Sequence, residues 1–314
     1  MNLFKYTSIR TAMLIIESGT IRWSSPVIFN DLEECQFTPF TKEQHLLAQE
    51  WYMNVMLECA KGRLIFDHNR FSPATSQIIS VIKMGLENSK LSTAGLAEIA
   101  AEIAQDPERD FKDHMNIALI RCMRVLCLTS KYNNHLMWAH YADQNCGCAI
   151  EFKEIFFKPP WNLRQGFIRY HENLNPLSNP LDVLLYGETP EIKNLMFQDV
   201  VFSKRSIWSY EEEYRFMYSE SFGEITTKFD LMSGEKKIEV RGQSEKLHTD
   251  MDISLESIKS ITFGVRADKG EIEKLIKSIV NKKMECEIYQ MEQNNGVLIR
   301  KAIFQNLLTP IDQT

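Results

Sequence analysis

Short apolar stretches of strand length cluster at the two ends of the chain, and helical spacing dominates the middle. Residues 3–7, LFKYT, predict a strand. Ser8 is placed to cap a helix over Thr11 to Ser18, with Met13 and Ile16 on its stripe, and Gly19 to end it. Ile21 to Ser25 predicts a second strand. Pro26 breaks it, and Asn30-Asp31 marks a turn in the polar loop that follows. From residue 41 to 120 the spacing turns helical. Thr41 and Gln44 form a capping-box pair, and Leu47, Trp51 and Val55 share one stripe. Ile78, Ile82 and Leu86 predict a second helix over 74–88. Leu96, Ile99, Ala100 and Ile103 predict a third from Thr93, and Asp106-Pro107 starts a fourth. No Gly/Ser/Pro linker flanks this block. The expectation is a helical insertion, 41–120, packed on the core of a single domain spanning 1–314.

Strand-length runs resume at Val125 to Thr129, Cys148 to Phe152 and Phe167 to Tyr170. Asn133 is placed to cap a helix through Leu136, Met137, His140 and Tyr141. Residues 173–200 read as Pro-punctuated loop with short helices. Strands follow near 236–241 and 258–264. An amphipathic helix over 269–282 then turns Ile272, Leu275, Ile276 and Ile279 inward. Two closing strands, Glu285 to Met291 and Val297 to Ile303, pair through Asn294-Asn295-Gly296, a tight hairpin signal. Many strands with segregated helices predict an α+β fold built on a mixed, mainly antiparallel sheet.

The stretch richest in chemistry is Phe202 to Tyr218. A strand from Ser209 on places Glu211, Glu213 and Arg215 on one face and Tyr210, Tyr214, Phe216 and Tyr218 on the other. Two carboxylates on one face repel, so that face requires Arg215, a ligand or another cation. Paired carboxylates of this kind suit a reaction through an oxocarbenium-like transition state, where nearby negative charge stabilises the developing cation. A solvated face with a Glu–Arg pair fits the same pattern. His140 and Asp143 stand three residues apart on a predicted helix, within hydrogen-bonding reach. Cys127 and His135 offer a Cys–His nucleophile pair. Plain core packing, beside Trp138 and Tyr141 for His140 and within a strand for Cys127, is the more ordinary account of both residues. Cys146-Gly147-Cys148 lacks the second cysteine pair of a zinc site. At the front of the chain, Lys5-Tyr6-Thr7, Ser24-Ser25 and Asn30-Asp31 bring a cation, small hydroxyls and an acidic turn to one end of a sheet.

Composition narrows the setting. With 314 residues, 44% hydrophobic and 25% charged, the chain has an ordinary globular balance. A net charge of −6 argues against holding nucleic acid through bulk charge and leaves room for a local basic groove. Seven cysteines at irregular spacing, and a start without an apolar leader, point to free thiols in a reducing cytoplasm. Apolar runs such as Ala12 to Ile16 are too short to span a bilayer, so no membrane partner is expected. Phosphate-loop, dinucleotide-fingerprint, zincin and nucleophile-elbow motifs are missing.

In order, the chain carries K-Y-T-S from Lys5 and W-S-S-P-x-x-F-N-D-x-x-E from Trp23. An apolar strand with Cys127 and Thr129 follows, then L-M-W-A-H-Y-A-D from Leu136, C-A-I-E-F from Cys148 and W-S-Y-E-E-E-Y-R from Trp208. This combination resembles a widespread bacterial domain family of unknown function, with members near phage-defence and abortive-infection genes. The resemblance covers most of the chain outside 41–120. The family's layout is similar to that of ADP-ribosyltransferases, which carry a His or Arg on a first strand, a Ser, Thr or Tyr on a second and a Glu on a later one.

The resemblance implies Lys5 in the first position with Tyr6 and Thr7 beside it, Ser24 or Ser25 in the second, and Glu213 or Glu211 in the third. Asn30 and Asp31 join the NAD-binding set. Lys5 departs from the usual His or Arg and lacks the planar fork of an Arg. On this reading Glu213 orients the nicotinamide-side ribose and stabilises the oxocarbenium, and Glu211 orients the acceptor. Lys5 and Thr7 hold the adenosine-side ribose or phosphates, and Tyr214 or Trp208 stacks on nicotinamide. The implied function is an NAD-consuming toxin or anti-phage effector. It would modify a nucleic acid or protein and have an antitoxin or neighbouring defence protein as partner. A metal-assisted hydrolase or nuclease using His140 with Glu211 and Asp143 remains open, as does a non-enzymatic sensor or partner-binding module. A shared site requires Lys5, Ser24, Asn30, His140 and Glu213 to line one cleft.

Overall fold

The computed structural model describes residues 2–31, 34–35, 40–63, 70–88, 122–153, 157–173, 175–187, 189–220, 225–229, 236–240 and 246–304. Strand β1 (Leu3–Thr7) runs into helix α1 (Ile9–Ser18). The Ser8 side chain accepts the Thr11 N–H and so starts the helix, and Gly19, at φ +67°, ends it by donating to the Ile15 carbonyl. Then come β2 (Thr20–Ser24), α2 (Lys42–Ala60), α3 (Pro73–Glu87), β3 (Met123–Thr129), α4 (His135–Tyr141), β4 (Cys148–Phe152), β5 (Arg164–Phe167) and β6 (Arg169–His171). They are followed by α5 (Pro180–Tyr186), α6 (Pro190–Val201), β7 (Ser203–Arg205), β8 (Glu213–Ser219), β9 (Ile225–Phe229), β10 (Lys236–Val240), β11 (His248–Asp252) and β12 (Ile258–Phe263). Helix α7 (Lys269–Asn281), β13 (Glu287–Asn294) and β14 (Val297–Phe304) close the described chain.

The main sheet is mixed and mostly antiparallel, so the α+β expectation holds. One wing runs β1-β4-β12-β13-β14, with β12 and β13 parallel. The other joins β3 to β8 along the whole of β3, and β8 to β5. Strands β1 and β2 meet β3 at one register point each. Phe4 lies opposite Thr129 and Ser24 opposite Val125, four residues apart on β3. At strand rise that is about 13 Å. The sheet forks there, and a cavity fills the fork.

One sheet face is the main core. Helices α1 and α7 cover it with Ile9, Ala12, Ile15 and Ile16 and with Ile272, Leu275 and Ile279, against Trp23, Leu126, Ile150, Phe216 and Ile261. The expected helix over 269–282 and hairpin at 294–296 are both present, the turn at Asn295 (φ +50°) and Gly296 (φ +82°) fitting the right-handed strand twist. On the opposite face α4 packs Met137 and Trp138 on Phe4, Tyr6 and Ala149.

Three sequence expectations shift, and two others fall outside the described residues. Helix α2 begins with the expected capping box, but its buried stripe is Ala48, Tyr52, Val55, Met56 and Cys59, while Leu47 and Trp51 are more than half exposed. The stripe turns because α2 and α3 form a core of their own with Leu185 of α5. The third and fourth helices expected within 41–120 lie outside the described residues. Asn134, not Asn133, caps α4, since its carboxamide oxygen accepts from both Leu136 and Met137 N–H. Residues 206–211 wind into a 3₁₀ turn instead of extending β8.

Candidate functional site

The 3₁₀ turn decides the geometry of the site. Glu212 follows it at φ +41°, in the left-handed region, and the chain reverses there before β8 begins at Glu213. Two tertiary bonds hold the turn: the Asn134 amide donates to the Tyr210 carbonyl (2.6 Å), and the Tyr141 hydroxyl donates to Glu211 Oε1 (2.5 Å). Glu211 therefore does not share a strand face with Glu213 and Arg215. It still converges with them, because the reversal turns both carboxylates toward one cation.

That cation is Lys204 on β7, buried under the Trp208 ring at 5.0 Å. Its Nζ lies 2.7 Å from Glu211 Oε2, 3.2 Å from Glu34 Oε2 and 3.5 Å from Glu213 Oε2. Arg215, fully buried, donates Nε to Glu213 Oε1 (2.8 Å) and Nη2 to Glu213 Oε2 (3.1 Å). It also donates to Glu34 and to the Val201 carbonyl. Three carboxylates thus share two cations, leaving one negative charge in excess. β3 contributes Cys127, opposite Arg215, and Thr129, opposite Glu213.

The two glutamates on the cavity are pushed apart. Burial raises the Glu213 carboxyl, but Arg215 and then Lys204 outweigh it and hold it at about 2. Glu211 is raised, first by burial and further by Glu213, against the pull of Lys204. Lys204 is driven up by Glu213, Glu34 and Glu211 against its own burial, so it stays protonated. Burial, then Glu211, raises the Tyr141 phenol, which remains a donor. Burial likewise raises the Cys127 thiol well above its ordinary value.

The cavity holds about 180 Å³, and its lining includes Phe4, Lys5, Tyr6, Ser24, Asn30, Glu34, Cys127, Thr129, Tyr141, Lys204, Glu211 and Glu213. Of the sequence-predicted residues, Lys5, Tyr6, Ser24, Asn30, Glu211 and Glu213 meet here. Lys5 Nζ rests 3.3 Å from the Cys127 carbonyl. Tyr6 is partly architectural: its hydroxyl donates to the Lys131 carbonyl, and its ring stands edge-on to Trp138. Asn30, exposed, reaches the Tyr141 hydroxyl at 3.4 Å.

Thr7, Ser25 and Asp31 do not line the cavity. Thr7 is buried where β1 meets β4, and the Ser25 hydroxyl caps the turn at Pro26–Ile28. His140, expected in the shared cleft, does not line the cavity either: it is exposed, with Nδ1 3.1 Å from the Tyr210 hydroxyl. Asp143 lies past the end of α4 at φ +49°, so the expected His140–Asp143 helical pair is not formed. His135 pairs with the Gly296 carbonyl, away from Cys127. Tyr214 packs on Phe167 and Phe216 on the far face of the sheet.

The residues that sequence reasoning left unassigned are Lys204, Glu34 and Tyr141. Each was within a quoted stretch. The demand for another cation beside Glu211 and Glu213 is met by Lys204, two positions into the stretch that begins at Phe202. Glu34 is the final position of the pattern that begins at Trp23. Among the described residues no group of three or more His, Cys, Asp or Glu is arranged to hold a metal ion. Glu34, Glu211 and Glu213 converge, but on the Lys204 ammonium. All seven cysteines are free thiols, and no described helix is long and apolar enough to cross a membrane. No family model, no curated protein and no solved structure matches the chain.

Proposed function

We propose that the fork cavity cleaves the N-glycosidic bond of NAD and transfers ADP-ribose. The observation that carries this reading is the pair of carboxylates on one cavity, one fixed as an anion and one poised. Environments that drive two carboxyls apart mark an acid–base or electrostatic pair. Bidentate Arg215 neutralises Glu213, which makes Glu213 the anchor of the cluster. The surplus negative charge falls on Glu211, and Glu211 is the carboxylate that faces a ribosyl cation as it develops. This exchanges the roles that the family resemblance assigned to the two residues. Tyr141 keeps Glu211 oriented, and Ser24 and Asn30 are placed for ribose hydroxyls.

Size sets the binding mode. Ligand pockets for whole drug-sized molecules run from roughly 300 to 1,000 Å³. A cavity of about 180 Å³ takes a single ring, such as nicotinamide or its ribose, and not a dinucleotide. The remainder of NAD lies over the mouth, where Lys5 meets a phosphate. A defence role extends the reading on the family resemblance, with a macromolecular acceptor and an antitoxin or neighbouring defence protein as partner. The metal-assisted alternative is less favoured, because Lys204 Nζ occupies the point where Glu34, Glu211 and Glu213 converge. Incubating the protein with NAD and following nicotinamide by chromatography tests the proposal. Nicotinamide should accumulate in step with protein concentration. Intact NAD, with and without cell extract as a source of acceptor, would rule the reading out.

A further inference from the structure

Among the described residues three cations line the fork cavity, and their surroundings differ. Lys204 serves three carboxylates, Glu34, Glu211 and Glu213. Arg22, on β2, is held by Asp250 through two bonds of 2.9 and 3.1 Å. Lys5, on β1, is half-buried, and no described carboxylate lies within ion-pair reach of it. Its Nζ meets the carbonyl of Cys127 at 3.3 Å, midway along β3 between the bridges to β1 and β2. An ammonium carries three N–H donors, so two are left for a ligand. The lining therefore holds surplus negative charge in the Glu211 cluster and an uncompensated positive charge at Lys5.

We infer that the unit recognised in the fork cavity is a ribosyl 5′-phosphate bearing a cationic ring, so that a mononucleotide fills the site and the adenosine half of NAD adds no recognition. The inference rests on the glycosidic reading, which supplies the pyridinium ribosyl group that faces Glu211; what it adds is the anion. A ligand of one sign leaves either Lys5 or the surplus carboxylate uncompensated as water is displaced, and that is costly. A ligand carrying both signs satisfies both groups. Size then selects the anion. A cavity of about 180 Å³ takes a single ring, and Lys5 and Glu211 both line it. The anion that meets Lys5 is therefore attached to the ring that faces Glu211, and on the scissile ribose that anion is the phosphate on C5′. Lys5 thus moves from the adenosine-side role implied by the family layout to the nicotinamide side. An ammonium suits this contact, since it binds phosphate as a compact point charge.

Nicotinamide mononucleotide, nicotinamide riboside and NAD are titrated calorimetrically into the full chain, the wild type beside Lys5→Gln and Lys5→Arg. The mononucleotide should bind the wild type within about tenfold of NAD. The riboside, which lacks the phosphate, should bind about tenfold or more weaker than the mononucleotide, the scale of one charge-assisted hydrogen bond. Lys5→Gln keeps a donor for the Cys127 carbonyl and removes the charge. It should weaken the mononucleotide by a similar factor and leave the riboside unchanged, and Lys5→Arg should recover most of the loss. Binding of NAD more than about tenfold tighter than the mononucleotide would show that the adenosine half is recognised and would overturn the inference. Equal binding of mononucleotide and riboside, equal mononucleotide binding by wild type and Lys5→Gln, or no binding of the mononucleotide would each overturn it too. The ligand series on the wild type does not depend on how any variant folds. Nicotinamide release, followed in the same samples, separates this inference from the reading it rests on. Phosphate-dependent binding without release defeats the glycosidic reaction and leaves the phosphate site standing. Release with binding indifferent to the 5′-phosphate defeats the phosphate site and leaves the reaction standing.

Discussion

Glu211 and Glu213 sit on the same ammonium group, and their titrations pull stability in opposite directions. Glu213 is held at about 2 in the fold, below the ordinary 4.5, so the stability it contributes is present above pH 4.5 and is lost as pH falls toward 2. Glu211 is raised, so the folded protein keeps that proton longer than the unfolded chain does. Its contribution is present at low pH and is lost as pH rises through the folded value. Glu211→Gln removes the second loss. Melting curves between about pH 4 and pH 8 should show the variant at least as stable as the wild type at the alkaline end, with the gap closing toward the acid end. A variant markedly less stable at pH 8 would mean that Glu211 is a structural ion-pair partner and not the surplus charge. Lys204→Met is the converse experiment. It leaves three buried carboxylates with Arg215 alone, and breaking such a cluster costs on the order of 3–5 kcal/mol. Urea unfolding at neutral pH measures this loss, which should shrink on acidification as the carboxylates take up protons.

Elements whose signals are local could be read from the sequence. The Ser8 cap and Gly19 stop of α1, the capping box of α2, the stripe of α7 and the Asn295-Gly296 turn each depend on neighbours in the chain, and each is present. The 3₁₀ turn at 206–211 was not readable, because its partners, Asn134 and Tyr141, are some 70 residues away. The α2 stripe failed for a related reason. Leu47-Trp51-Val55 and Ala48-Tyr52-Val55-Cys59 are both helical stripes, and only packing on α3 and α5 selects the second. Met56→Ala should therefore cost about 2–5 kcal/mol by leaving a cavity, whereas Trp51→Lys should stay within about 0.5 kcal/mol. Thermal or urea melts of the two variants check this, and the reverse ranking would contradict the buried face assigned to α2. Gly147 is a sharper case. A Cβ there would stand 2.3 Å from the Thr7 carbonyl oxygen and 2.8 Å from the Ala142 backbone. Gly147→Ala must push the end of β1 away from β4, costing about 1–3 kcal/mol or more. A melting temperature equal to wild type would show that the strand end yields freely.

Across the whole molecule, the fork between β1 and β2 gathers residues from six separate parts of the chain, with Cys127 and Thr129 supplied by β3. Lys5 and Ser24 come from the first two strands, Glu34 from the loop after them, Tyr141 from α4, and Lys204, Glu211 and Glu213 from the stretch around the 3₁₀ turn. The sequence could nominate most of these as polar residues near strand ends. It could not order them, because the single-residue bridges Phe4–Thr129 and Ser24–Val125 that open the fork are long-range pairings. For the same reason His140, which stands in a promising sequence context, ends outside the cavity lining, while Lys204 becomes the centre of charge. The most direct test of this arrangement compares nicotinamide release from NAD by the wild type, Glu211→Gln and Glu213→Gln, each with its melting curve. The account predicts that Glu211→Gln stays folded and loses about 10²-fold or more in rate, the scale of a lost electrostatic contact to a transition state. It predicts that Glu213→Gln loses stability first, by about 1.5–3 kcal/mol. Undiminished release by a folded Glu211→Gln protein would contradict it.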